Sequence, residues 1–131
     1  MGALVKLQGS IGLFQVSSED KDKVRIHPHD KMCIVVDAGS IINVKDGMEI
    51  EDGIIQANQT VIIKPNVSLT PSKYHALVGF NSELSLMGAI VSPIALLVRP
   101  REKDKIGLIV RASKKLDISE LSHIIELYQI D

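Results

Sequence analysis

The stretch that decides the fold reads VRIHPHDKMCIVVDAGSIINVKDGMEIEDGIIQANQTVIIK, from Val24 to Lys64. It is built of short aliphatic runs at 24–27, 32–36, 41–44, 48–50, 54–56 and 60–64. Turn formers separate them: Pro28-His29-Asp30, Ala38-Gly39-Ser40, Lys45-Asp46-Gly47, Glu51-Asp52-Gly53 and Ala57-Asn58-Gln59. Asp-Gly occurs twice, each time followed at once by Met or Ile. A tight turn between strands calls for that pairing, because glycine accepts a positive φ. Turn signals roughly every 6–10 residues predict an all-β barrel or sandwich.

Outward from this stretch the pattern persists. Residues 3–8 and 11–16 flank Gly9-Ser10 and predict a hairpin. The run SSEDKDK at 17–23 predicts a solvated surface loop. Before residue 115 only 82–87 shows helical character, and that for one or two turns. The tail admits two readings. Leu121, Ile124, Ile125 and Tyr128 fall at i, i+3, i+4 and i+7 behind a cap-like Asp117 and Glu120, which predicts a short C-terminal helix; 124–130 reads equally as a last strand. No linker composition interrupts the chain, so residues 1–131 are expected to form a single β domain.

Composition sharpens this. The chain has 131 residues, 45% hydrophobic, with two Phe, two Tyr and no Trp, so the core must be Ile, Val and Leu. β-branched aliphatics favour sheet. A net charge of −1 gives no whole-chain case for nucleic acid. The single Cys33 excludes an intramolecular disulfide and a cysteine-rich zinc site. There is no apolar run of the ~18 residues that spanning a bilayer requires, and no signal-peptide layout. A soluble cytoplasmic protein without a membrane partner is expected.

The middle of the chain resembles the trimeric dUTPase and dCTP deaminase superfamily. Residues 57–63 (ANQTVII) look like that family's turn and strand, and 69–74 (LTPSKY) like its step into the next strand. Asn81-Ser82-Glu83-Leu84, with Gly88 four beyond the Leu, takes the place of an R-S-S-L motif. Without a gap, Leu96-Leu97-Val98-Arg99-Pro100 then falls on G-x-I-D-P, and 106–110 on the strand that follows. The resemblance spans about residues 24–130. It implies a β-clip, or distorted jelly roll, assembled as a homotrimer with sites between subunits.

The departures bear on activity. A family Arg that contacts phosphate is replaced by Asn81, and the family's general-base Asp by Arg99. Arginine is permanently protonated and cannot accept a proton. The glutamate of deaminating members falls on Ile109, and a motif Gln near Glu126. No Gly-rich arm is found before Asp131. The resemblance therefore implies an inherited scaffold without a hydrolase: a binding or structural module, with no catalytic residue. Ser82, Asn81, Arg99 and Arg101 are the candidates for holding a phosphate-bearing small molecule. The rival is a divergent nucleotidohydrolase with Mg²⁺, its carboxylates drawn from Asp37 or Glu83. Outside that rival, no cofactor and no metal are expected.

Other residues carry weaker signals. His27-Pro28-His29-Asp30 sets two histidines at i and i+2 beside a carboxylate, a possible metal pair with no third ligand in view; a plain polar turn is the simpler reading. His75 and His123 read as surface or satisfied residues, and Cys33, between Met32 and Ile34, as core. Residues 99–115 hold seven bases against Glu102 and Asp104. A basic hairpin contacting nucleic acid is one reading, and a solvated turn guarding strand edges is the favoured one. The aromatic side chains on which single-strand binders stack bases are missing there.

Overall fold

The structure, a computed structural model, describes residues 2–6 and 13–130. The chain begins with β1 (Gly2–Lys6), β2 (Leu13–Ser17) and a 3₁₀ segment over Ser18–Lys23. Then come β3 (Arg25–His27), β4 (Asp30–Val36), β5 (Ala38–Asn43), β6 (Ile54–Ile55) and β7 (Thr60–Pro65). β8 (Leu69–Pro71) and β9 (His75–Phe80) lead to α1 (Glu83–Leu86), a single turn of helix. β10 (Ala89–Pro93), β11 (Leu97–Val98), β12 (Leu108–Ala112), β13 (Leu116–Asp117) and β14 (Ile125–Ile130) complete the chain.

Two sheets carry the core. One is five-stranded in the order β11-β9-β14-β4-β3, the other four-stranded in the order β10-β12-β7-β5. A three-stranded sheet, β1-β2-β8, and a two-stranded pair, β13-β6, flank them. Side chains alternate across each strand. Ile34, Val36, Ile125, Leu127, Val78 and Ala76 point inward from the first large sheet, and Ile41, Val61, Ile63, Leu108 and Val110 from the second. All of them belong to one buried cluster. Fully burying each such Val, Ile or Leu contributes roughly 1.5–3 kcal/mol.

The tail is a strand. Ile125–Tyr128 pairs antiparallel with β4, and Ile125–Ile130 with β9, so β14 fills the slot between two strands that would otherwise expose open edges. The capping signal at Asp117 serves only one 3₁₀ turn, Ile118–Glu120, where its carboxylate accepts the Ser119 backbone N–H.

Several other features differ from the pattern the sequence suggests. Run 48–50 contributes only an isolated bridge, Ile42 to Glu49. Residues 99–115 do not form a hairpin: β11 pairs with β9 and β12 with β7 and β10, in different sheets. Residues 18–23 form a 3₁₀ segment, with an ion pair between Lys23 and Asp20 at 2.9 Å. β1 and β2 do pair antiparallel, from Gly2 opposite Ser17 to Lys6 opposite Leu13; Gly9-Ser10 lies outside the described residues.

Both Asp-Gly pairs form turns, although the run 48–50 that lies between them is not a strand. Gly47 and Gly53 have φ of +71° and +73°, and each preceding aspartate accepts the N–H of the residue after the glycine. Gly39 is constrained differently, at the bulge where β5 meets β7. A Cβ there would lie 2.5 Å from the Asn66 Cα and 2.7 Å from the Pro65 carbonyl oxygen, both backbone atoms. We expect Gly39→Ala to lower stability by about 1–3 kcal/mol in urea unfolding, through forced backbone shifts. Gly47→Ala, with nothing within 4 Å of the new methyl, should cost only the left-handed backbone conformation, roughly 1–2 kcal/mol.

Candidate functional site

The outward face of the five-stranded sheet carries the unusual chemistry. On β14, Glu126 and Tyr128 alternate with the core residues Ile125 and Leu127 and so point away from the core. Register sets Cys33 of β4 opposite Tyr128, and Val35 opposite Glu126. His27 ends β3, the strand beside β4, and His123 lies just before β14. These three strands and the segment before β14 bring together residues that are almost a hundred positions apart in sequence.

Glu126 is only 8% exposed, and a carboxylate buried that far needs partners. It has them. Its Oε2 lies 2.7 Å from His123 Nε2 and 3.4 Å from His27 Nε2, and its Oε1 accepts the Tyr128 hydroxyl at 2.8 Å. His123 Nδ1 faces Ser122 Oγ at 3.3 Å. His27 Nδ1 accepts the His29 backbone N–H at 3.0 Å. The imidazoles of His27 and His123 meet edge-on, with centroids 5.5 Å apart. Arg25 ties the surrounding segments by donating to both oxygens of Asp37 and to the Ser122 carbonyl. One donor atom from each of His27, His123 and Glu126 falls within 4.8 Å of the others, so a single ion could reach all three.

Cys33 and Tyr128 extend the cluster in neutral form. Burial pushes the Cys33 thiol up to about 12, partly opposed by a Tyr128 hydrogen bond and reinforced by the charges of Glu126 and Asp30. Burial, followed by the hydrogen bond to Glu126, raises the Tyr128 phenol well above its ordinary value. Cys33 is fully buried, in keeping with its reading as core, but it lies outside the core cluster, opposite Tyr128 on the other face of the sheet. His123 is satisfied, as read, but within a cluster that the sequence did not reveal. His29 sits exposed in the turn, as the simpler reading had it, with its ring edge-on to that of His27 at 6.0 Å between centroids.

The phosphate candidates lie elsewhere. The Asn81 side chain is committed at both ends: Nδ2 donates to the His123 carbonyl at 2.9 Å, and Oδ1 accepts the Glu83 N–H that opens α1. Ser82 is exposed and makes no side-chain cap. Arg99 is exposed after β11, where Glu102 accepts its backbone N–H at 3.1 Å. Arg101, also exposed, has φ of +65° and donates its backbone N–H to the Pro71 carbonyl. Neither guanidinium has a partner among the described residues.

Ser82 and Arg99 do not meet within one chain. Leu97 and Val98 pair with Leu77 and Ala76, so Arg99 follows toward His75 at one end of β9, while Ser82 lies past Phe80 at the other. The ~3.3 Å rise per strand residue separates them by roughly 20 Å. Of the rival carboxylates, Asp37 is held by Arg25 and Glu83 is exposed on α1.

No family model matches the chain, and no curated protein matches it. Among solved structures it is similar to the native dUTPase of EIAV, with a TM-score of 0.55 and 14% identity over 90% of this chain and 86% of that one. The chain thus has a dUTPase-like, nearly all-β fold. At that identity the likeness concerns the fold alone. No helix among the described residues is long and apolar enough to cross a membrane.

The raised Cys33 thiol has a consequence at alkaline pH. Below the unfolded-chain value of 9.0 the thiol is neutral folded or unfolded. As pH rises from 9.0 toward about 12, the unfolded chain releases this proton and the folded one keeps it, so stability falls, at most by about 1.4 kcal/mol per pH unit. Urea unfolding between pH 8 and 11 should show a shallower alkaline loss for Cys33→Ala than for the wild type. Equal slopes would show that Cys33 ionises as readily folded as unfolded.

Proposed function

We propose that this protein is a non-hydrolytic, homotrimeric module of dUTPase-like fold that binds a phosphate-bearing anion between subunits. The observation that carries the reading is Arg99: an exposed guanidinium at the end of β11 with no partner among the described residues, where the resemblance expects a general base. A guanidinium there offers paired hydrogen bonds to phosphate and can accept no proton. Arg101 close by adds attraction that salt screens over about 8–10 Å.

Assembly has support of its own. The outer face of the four-stranded sheet carries Ile42, Ile62 and Ile109 in register across β5, β7 and β12, with exposed Ile90 beyond them on β10. Leu96 and Leu97 are exposed at 62% and 46%. An apolar stripe of this kind is what a subunit contact covers. A neighbouring copy would also supply the means of uniting one chain's Ser82 with another's Arg99.

The basic stretch gives less support to nucleic acid. β12 divides it, with Arg99, Arg101, Lys103 and Lys105 before the strand and Lys114 and Lys115 after it.

Light scattering at micromolar concentration should give a trimer mass, and Ile62→Asp, on the outer face, should shift it to monomer without unfolding. The trimer should release no pyrophosphate from dUTP with Mg²⁺ and deaminate no dCTP above buffer. General-base catalysis alone is worth on the order of 10²–10⁴ in rate. Arg99→Asp should therefore restore nothing by itself, because substrate positioning has changed as well. Calorimetry should show weak triphosphate binding that Arg99→Ala abolishes and Lys115→Ala leaves. A monomer, or robust pyrophosphate release, would overturn the reading.

A further inference from the structure

The geometry points to a site for a zinc-class divalent cation formed by His27 Nε2, His123 Nε2 and Glu126 Oε2. It is independent of trimer formation and of anion binding.

One of the two distances fits an ion better than a hydrogen bond. Zn²⁺ binds imidazole nitrogen and carboxylate oxygen at about 2.0–2.2 Å, which places tetrahedral ligands roughly 3.3–3.5 Å apart. His27 Nε2 lies 3.4 Å from Glu126 Oε2. That is longer than the ~2.7–3.2 Å of a good N–H···O bond and matches the edge of a coordination tetrahedron. The His123–Glu126 contact, at 2.7 Å, would open by about half an ångström to admit the ion. Two imidazoles and one carboxylate select a borderline cation over Mg²⁺ or Ca²⁺, which prefer all-oxygen shells.

The surrounding groups are arranged as supporting partners of such ligands. The Tyr128 hydroxyl binds Glu126 Oε1 and leaves Oε2 for the ion. Ser122 Oγ, at 3.3 Å, can accept a hydrogen bond from His123 Nδ1–H, the tautomer that leaves Nε2 free to ligate. Oriented ligands of this kind are what metal sites use. The backbone fixes the other two contributors: β14 holds Glu126 in its ladder, and the Asn81 amide grips the His123 carbonyl at 2.9 Å.

Two contacts must yield: the His123–Glu126 bond, in which the Nε2–H donates to the carboxylate, and the bond from the His29 backbone N–H to His27 Nδ1. His27 Nδ1 accepts the His29 N–H, so the free imidazole carries its proton on Nε2. Ligation through Nε2 requires the opposite tautomer, with the proton on Nδ1 and the His29 contact released. That contact lies in an exposed turn at the edge of the sheet, where backbone adjustment costs least. Metal binding is therefore coupled to a tautomer change at His27, a signature that a merely structural cluster lacks. The fourth position, beside the half-buried His27, is left to water or an added ligand.

The experiment is calorimetric titration of the full chain with Zn²⁺, paired with long-range ¹H–¹⁵N correlation spectra of the histidine rings. We expect one Zn²⁺ per chain, and His27 passing from the Nε2–H to the Nδ1–H form as the ion is added. His27→Ala, on the edge strand, and Glu126→Gln, which keeps the shape and an acceptor for Tyr128, should each weaken binding by at least about 100-fold. His29→Ala retains its backbone N–H and should bind as the wild type does. Circular dichroism confirms that the variants are folded. The proposal is overturned by a wild type that binds no stoichiometric Zn²⁺, by affinity that survives in both variants, or by histidine tautomers that do not change.

Discussion

β14 must satisfy two ladders at once, and the rest of the molecule depends on it. Its backbone pairs with β4 on one side and β9 on the other, closing a five-stranded sheet whose ends are otherwise unconnected. The period of two then imposes a division of labour. Ile125 and Leu127 complete the core, and Glu126 and Tyr128 must leave it on the opposite face. A one-residue slip would bury a carboxylate in the core and expose two aliphatic side chains. Because Glu126 is nearly inaccessible even on the outer face, its hydrogen bonds to His123 and Tyr128 are a condition for this register.

The strands from β3 to β7 were legible because each is short, aliphatic and closed by its own turn chemistry. Asp46 and Asp52 hold their turns with local hydrogen bonds that need nothing from the rest of the chain. The tail was not legible for the converse reason. Leu121, Ile124, Ile125 and Tyr128 satisfy a helical period, and Asp117 truly caps a turn. What decides for a strand is the vacancy between β4 and β9, a long-range fact that no local window contains. The apparent 99–115 hairpin failed in the same way, since its two halves find partners in different sheets.

The polar cluster was half visible. His27 stood out through its neighbour His29, which the turn then directs to solvent while its N–H fixes the His27 ring. The true partners, His123 and Glu126, stand at i and i+3, which even a helical reading sets on one face, but nothing local to them points to His27. Read as a strand, that segment does hold a signal: an acid between Ile125 and Leu127, with a tyrosine two residues on, is a carboxylate that must find donors. Asn81 and Ser82 came from one motif, Arg99 from a second and Arg101 from its closeness to Arg99 in sequence, and an ungapped match says nothing about closeness in space. Asn81 proves to be a bracket between the start of α1 and the entry to β14.

That bracket links the two polar regions of the chain. Asn81 holds the His123 carbonyl, so the end of β9 that carries Ser82 is mechanically joined to the histidine cluster, while the end that points to Arg99 is not. A rigid strand of six residues keeps these ends apart, because a paired β-strand cannot shorten without losing its ladder. Any ligand that touches both Ser82 and Arg99 must therefore bridge chains, and its affinity would depend on assembly. A cation at His27, His123 and Glu126 needs only one chain. The two modes of binding thus respond differently to a charge placed in the Ile42–Ile62–Ile109 stripe: dissociating the subunits would remove the first and leave the second, since no ligand of the cluster lies on the four-stranded sheet.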